Sequence, residues 1–302
     1  MRFKGEAFMI DATLLAQTLL LALTVAGLYA AIASGLTLEF GVARIINFAH
    51  GEFVMLGAFI TYFLQTLWQV PVPVGMLISG LAMGLLSWVV FHGFLSRVLR
   101  QDEHNQILAT LGLSILIINL AVILWSPDAR ALHVEPVLPA LRFAGIVVPG
   151  NNLFVLLVGV VLYAALMLFM RLSPYGIQLR LASDDTDLAT LAGVNVERMF
   201  GLSFVIGGVT AGMAGGLVAL VLYVHPMVGL ELVMRAFAIV ALAGLGSIPG
   251  AIVGAVLLSV AEGLTSSFIS QGASWSYGVA FLIIVIVLLV RPTGLFGKEL
   301  RT

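Results

Sequence analysis

Cysteine is absent from all 302 residues, and lysine occurs only twice, at Lys4 and Lys298. The first absence removes disulfides, thiolate catalysis and cysteine-ligated metals together. The second removes the phosphate-binding loop of many ATPases, because Gly297-Lys298-Glu299 lacks both the earlier glycine and the hydroxyl residue of Gly-x-x-x-x-Gly-Lys-[Ser/Thr]. The chain therefore hydrolyses no ATP through such a loop. Charge is scarce as well: 10% of residues are charged, against about 25% in a soluble domain, and the net charge of −1 offers nothing to a nucleic acid. His50, His92, His104, His133 and His225 never take a metal-ligand spacing, and no Gly-x-Ser-x-Gly or paired-carboxylate motif stands in a recognisable context. No catalytic constellation emerges.

What fills the chain is apolar, 61% hydrophobic with a mean hydropathy of +1.14. Runs of roughly 20 apolar residues, each long enough to cross a bilayer as a helix, recur from end to end. The expected fold is an all-α polytopic membrane protein with eight to nine transmembrane helices. The spans read at about 13–38, 52–69, 74–96, 107–125, 151–170, 200–223, 230–245, 250–268 and 276–291. Arg97 and Arg100, then Arg171, Arg180 and Arg198, then Arg291, Lys298 and Arg301 fall on one side if the spans alternate, and that side is cytoplasmic. The 126–150 connection, with Arg130 and Arg142, then lies outside. So does the N-terminus, against the opposing vote of Arg2 and Lys4. Glu6 and Asp11 interrupt the first apolar region and no Ala-x-Ala site follows closely, so the first long segment reads as a retained span.

The stretch from Gly27 to Phe59 places Glu39, Arg44, Asn47, His50 and Glu52 within 14 residues between apolar segments. A charge at the centre of a membrane helix costs roughly 2.5–3.5 kcal/mol on insertion scales, so these groups need partners, water or a substrate. Gly41 and Gly51 flank the polar run, where glycine lets a helix break against a cavity. Asn47, His50 and Glu52 either line a translocation path or cap and brace the broken helix. His225, Glu231 and Arg235 are their counterparts later in the chain; Glu231 and Arg235, four apart on one helical face, can also neutralise each other. Glu262 and Asn119 stand isolated and read as structural hydrogen bonders.

Gly51 to Phe59, GEFVMLGAF, is similar to Gly229 to Phe237, GLELVMRAF, and each follows a Gly/Ala-rich span and a histidine. Either two apolar segments match by chance, or spans one to four repeat as spans six to nine in the opposite direction, with the fifth joining them. Inverted repeats of that kind hold substrate at their interface near the bilayer midplane. Gly207, Gly208, Gly212, Gly215 and Gly216 in span six, and Gly250 and Gly254 in span eight, suit close helix packing in lipid.

The connection from Arg171 to Met199 is the one substantial polar stretch on the cytoplasmic side. Ser173-Pro174-Tyr175-Gly176 reads as a turn that ends span five. Ser183 or Asp184 then caps a short helix through about Leu191, closed by Gly193, with Asp184, Asp185 and Asp187 near its positive end. Such a helix either docks a soluble partner or is an ordinary solvated loop.

Gly41-Val-Ala-Arg-Ile-Ile-Asn-Phe-Ala-His-Gly-Glu-Phe-Val-Met-Leu-Gly-Ala-Phe59 closely resembles the permease subunits of bacterial branched-chain amino acid ABC importers, the H-type subunit in particular. Tyr175 to Ala182, Ala189 to Val194, Ala243 to Ala251 and Arg291 to Gly297 resemble the family's later signatures, so the likeness runs across nearly the whole chain. The resemblance implies a multi-pass inner-membrane protein, a single permease domain over 1–302 with a cytoplasmic coupling segment at about 171–199. It also implies a second permease subunit, two cytoplasmic ATPase subunits that carry the ATP, and a periplasmic substrate-binding protein. The chain itself then binds no cofactor or metal, contacts membrane lipids, and is a transporter subunit rather than an enzyme. On the family's pattern Gly176, Arg180, Ala182, Asp187, Ala189 and Gly193 belong to the coupling segment. The family usually reads Arg-Ala where this chain has Arg180-Leu181-Ala182. Related permeases for urea or short amides share the same blocks, and an ion-coupled secondary transporter is the alternative from another class.

Overall fold

The computed structural model describes residues 12–98, 103–269, 271–291 and 293–297. Arg2, Lys4, Glu6, Asp11, Arg100, Lys298 and Arg301, on which parts of the orientation and N-terminal readings rest, lie outside the described residues. All nine expected apolar segments are helices: α1 (Ala12–Ala43), α2 (His50–Trp68), α3 (Val72–Val90), α5 (Glu103–Trp125), α6 (Gly150–Leu172), α9 (Val196–Val221), α10 (Val228–Ala243), α11 (Ile248–Phe268) and α12 (Gly272–Val290). A π-helical turn, Phe91–Leu95, and the short α4 (Ser96–Val98) prolong α3. Among the described residues, six helical segments are long and apolar enough to cross a membrane. They comprise α1, α3 with its extension, α5, α6, α9 and α11.

α1 and α9 form the centre of the bundle, and α9 packs against α1, α2 and α3. Lipid supplies no hydrophobic drive between helices, so this contact depends on close backbone approach at small residues. A Cβ at Gly212 would lie 2.4 Å from the Ser79 carbonyl oxygen on α3, and one at Gly215 would lie 2.2 Å from that of Val54 on α2. Glycine in α9 is thus a packing device, as the small-residue pattern predicts.

The two ends of the bundle differ. At one end the 126–150 connection folds into a hairpin, β1 (Leu141–Phe143) with β2 (Ile146–Val148), whose Val147 is bracketed by the Gln17 side chain of α1. Arg130 pairs with Val224 at the same end. At the other end lie α7 (Pro174–Asp184) and α8 (Thr186–Leu191). The Ser183 hydroxyl of α7 donates to the Gly41 carbonyl near the end of α1, and the backbones of Gly41 and Gly246 touch there. Arg171, Arg198 and Arg291 at helix termini, and Arg180 within α7, gather at this end, the one that the distribution of arginine leads one to expect on the cytoplasmic side.

Three local expectations are corrected. The chain breaks at neither Gly41 nor Gly51: α1 runs on to Ala43, and Arg44 takes the left-handed turn at φ 53°. Both glycines instead allow contact, since a Cβ at Gly51 would sit 2.1 Å from the Gly229 carbonyl oxygen. Ser173 to Gly176 is not merely the stop of α6. Ser173 caps α7 by accepting from the Gly176 amide at 2.8 Å, with Pro174 pre-set for the first helical position. Finally, Asp185 rather than Ser183 or Asp184 caps α8, accepting from the amides of Asp187 and Leu188 at 2.9 Å, while Gly193 at φ +81° closes that helix as expected.

Candidate functional site

Where α1 gives way to α2, polar side chains are fully enclosed. Glu39 is 1% exposed, and Asn47, His50 and Glu52 are 0% exposed. The Asn47 amide donates to Glu39 Oε2 at 2.8 Å, and its own Oδ1 accepts from the Ala49 amide at 3.0 Å, which secures the start of α2. His50 Nδ1 lies 3.0 Å from Glu39 Oε1, and Nε2 lies 3.1 Å from the Ile32 carbonyl. A carbonyl can only accept, so Nε2 is the donor to Ile32, and Nδ1 faces the Glu39 carboxyl group. The arrangement gives each buried polar group a partner inside an apolar bundle, where an unpaired one is expensive. Glu39 is the partner that sequence reasoning left without a role. The signal was available, because a carboxylate that far along an apolar helix requires one.

Glu52 is tied elsewhere. Its Oε1 accepts from Ser114 of α5 at 3.0 Å, and its Oε2 packs against Gly229 at the start of α10. The two segments that are similar in sequence therefore meet at their first residues, Gly51 against Gly229. From that contact α2 runs toward the Arg130 end, where Arg130 lies over Tyr62, and α10 runs toward the end marked by Gly244 and Gly297. The two helices thus leave a shared contact in opposite directions. His225 sits in the loop before α10, beside the Val224–Arg130 pairing, with its carbonyl accepting from Val228 at 3.1 Å.

Glu231 belongs to a different place, an open cavity of ≈ 290 Å³ lined by α1, α6, the end of α9 and α10. Asn47, His50 and Glu52 are not among its walls. Thr24, Tyr29, Asn152, Glu231 and Arg235 contribute its polar lining. Glu262 of α11, which the sequence left isolated, is the group behind that wall. It accepts from Tyr29 Oη at 2.6 Å and pairs with Arg235 Nε at 3.1 Å. The Arg235 guanidinium also lies 5.8 Å from the centre of the Tyr29 ring. Asn119 merely donates to the Ile115 carbonyl within its own helix.

The residues that the resemblance places in a coupling segment occupy the opposite end of the bundle. Gly176 is buried against the Phe169 and Met170 backbone, while Ala182 and Ala189 are buried at 1% and 0% exposure. Arg180, Asp187 and Gly193 are exposed. Leu188 and Leu191, at 58% and 84% exposure, give α8 an apolar outer surface.

Residues 18–288 match the family described as branched-chain amino acid transport system / permease component. The chain is 31% identical over 297 residues to the high-affinity branched-chain amino acid transport system permease protein LivH of Escherichia coli, covering 91% of this chain and 93% of that one. It is 30% identical over 298 residues to BraD of Pseudomonas aeruginosa, a protein of the same description, covering 93% and 95%. In fold it is similar to PsaBC from Streptococcus pneumoniae in complex with Fab, with TM-score 0.50 at 16% identity, covering 93% of this chain and 92% of that one. With its six apolar membrane-length segments, this chain is a multi-pass protein of the bacterial inner membrane, and it belongs to the family of permease components of branched-chain amino acid transport systems.

Proposed function

We propose that this chain is one of two permeases in an ATP-driven importer that passes branched-chain aliphatic amino acids into the cell. Likeness to LivH along nine-tenths of both chains carries the reading. ATP is bound and hydrolysed on two cytoplasmic partner subunits, and a periplasmic binding protein delivers the solute. Residues 1–302 act as a single transmembrane permease domain. Within it, residues 171–199 form the segment that receives the ATPase stroke, with Gly176, Ala182 and Ala189 packing it and Arg180, Asp187 and Gly193 presenting it. The exposed Leu188 and Leu191 on α8, and the Ser183 bond to the end of α1, support that role: a push on α7 and α8 is delivered two residues from Glu39. Such a push would bias a two-state element, as coupling between remote sites requires.

The test is co-purification of the tagged chain from its native membrane, with ATPase and uptake assays in the presence of the binding protein. A second permease and two ATPase subunits, with leucine stimulating both activities, is the expected result. Stimulation by urea instead of leucine would move the protein to the urea and short-amide transporters. Uptake without any ATPase subunit would make it an ion-coupled carrier.

A further inference from the structure

The cavity between α1, α6 and α10 lies near the middle of α1, at Tyr29, and toward the Arg130 end of the bundle. Its volume of ≈ 290 Å³ is at the lower edge of the roughly 300–1,000 Å³ typical of small-molecule sites, which suits a compact solute. One wall is charged. Glu231 and Arg235 stand four residues apart on α10, so their Cβ atoms are about 5–6 Å apart and offer opposite charges one helical turn apart. The guanidinium is held in place from behind by Glu262, by the Tyr29 ring and by the Glu231 carbonyl. That support orients a cation at a wall it does not leave. The remaining walls include Val25, Leu28, Val155 and Leu232 and are aliphatic.

Glu231 is exposed at the surface of this chain, yet it sits on an apolar helix. A carboxylate there does not face hydrocarbon; it faces water or a neighbouring protein. The cavity mouth therefore opens toward an aqueous path or the subunit interface rather than toward lipid.

We propose that this cavity is an amino-acid subsite within the permease, in which Arg235 receives the carboxylate of the solute, Glu231 its ammonium group, and the aliphatic walls its branched side chain. The proposal rests on the reading of the chain as a branched-chain amino acid permease, and it adds that the permease itself recognises the zwitterion after delivery. Tyr29 and Glu262 are positioning residues that act through Arg235.

Ligand-observed saturation-transfer NMR tests it, using L-leucine as probe and the solubilised transporter complex without its binding protein. Leucine should give a saturable signal displaced by isoleucine. Leucinamide, which lacks the carboxylate, and 4-methylpentanoate, which lacks the ammonium group, should displace it at least tenfold less well. Arg235→Gln and Glu231→Gln should each weaken leucine binding at least tenfold. Val25→Phe, which shrinks the aliphatic side, should cost leucine at least tenfold while alanine still binds; it carries the test if a charge variant fails to assemble. Unchanged leucine binding in the assembled variants, or displacement by leucinamide or urea as effective as by leucine itself, overturns the subsite. A wild-type complex that imports leucine but shows no leucine signal also overturns it, and leaves the permease reading standing. If the complete system imports no branched-chain amino acid, both fall.

Discussion

His50 Nδ1 and Glu39 Oε1 lie 3.0 Å apart in a part of the bundle that excludes water, joining the first turn of α2 to the last turns of α1. Six residues, Arg44 to Ala49, reverse the chain between the two helices, and the polar contacts of that corner hold the reversal closed.

Removing one partner of such a pair leaves the other buried without compensation, a loss on the order of 3 kcal/mol. His50→Ala and Glu39→Ala should each lower the thermal unfolding midpoint of the solubilised protein, and the double variant should lose less than the sum of the two. Additive losses would show that the pair does not act as a unit.

Asn47→Ala removes both the bond to Glu39 and the bond from the Ala49 amide, so lowered stability of at least about 1 kcal/mol is expected together with reduced transport. Glu52→Gln keeps an acceptor for Ser114 and should assemble normally. Altered uptake in an assembled Glu52→Gln complex would assign that residue to the solute path; unaltered uptake would make it a tie between α2 and α5.

Two glycines provide an internal contrast. A Cβ at Gly215 would meet the Val54 carbonyl oxygen at 2.2 Å, whereas one at Gly112 on α5 would meet nothing within 4 Å. Gly215→Ala should therefore reduce the yield of folded protein, with overpacking of roughly 1–3 kcal/mol. Gly112→Ala should be neutral or stabilise by up to about 1 kcal/mol through helix propensity. Membrane yield by gel filtration reads both.

At the end of the bundle that carries α7 and α8, Asp185→Ala removes the cap of α8, about 1 kcal/mol, and Gly193→Ala forces a side chain into the left-handed region, about 1–2 kcal/mol. Arg180→Ala is exposed and should leave folding untouched. All three should insert normally but reduce solute-stimulated ATPase activity and uptake; normal transport in all three would remove the coupling role from this segment.

Local chemistry explains how much was legible before the fold was known. Apolar runs set the nine helices, glycine and aspartate punctuated α8, and the Asn47 to Glu52 block stood out because polar groups in apolar segments demand partners. Boundaries slipped where the signal was short. Gly41 and Gly51 resembled hinges, since a glycine that relaxes the backbone and one that admits a neighbouring backbone look the same in a sequence. Arg44 took the turn instead.

Partner choice was the harder matter. Glu231 lies one turn from Arg235 and was the visible neighbour; Glu262, 27 residues along the chain from Arg235, was not, and it brings a carboxylate to the guanidinium at 3.1 Å. Tyr29, 233 residues from Glu262, completes that group. The amino-acid order by itself determined the membrane class, the helices, the polar corner and the family, because hydropathy, capping and motif spacing act over a few residues. The tertiary structure decided which charge meets which, where a cavity remains, and that the corner and the cavity are separate places. Those depend on how closely α1, α9, α10 and α11 approach, and that distance is set by contacts between residues far apart in the chain.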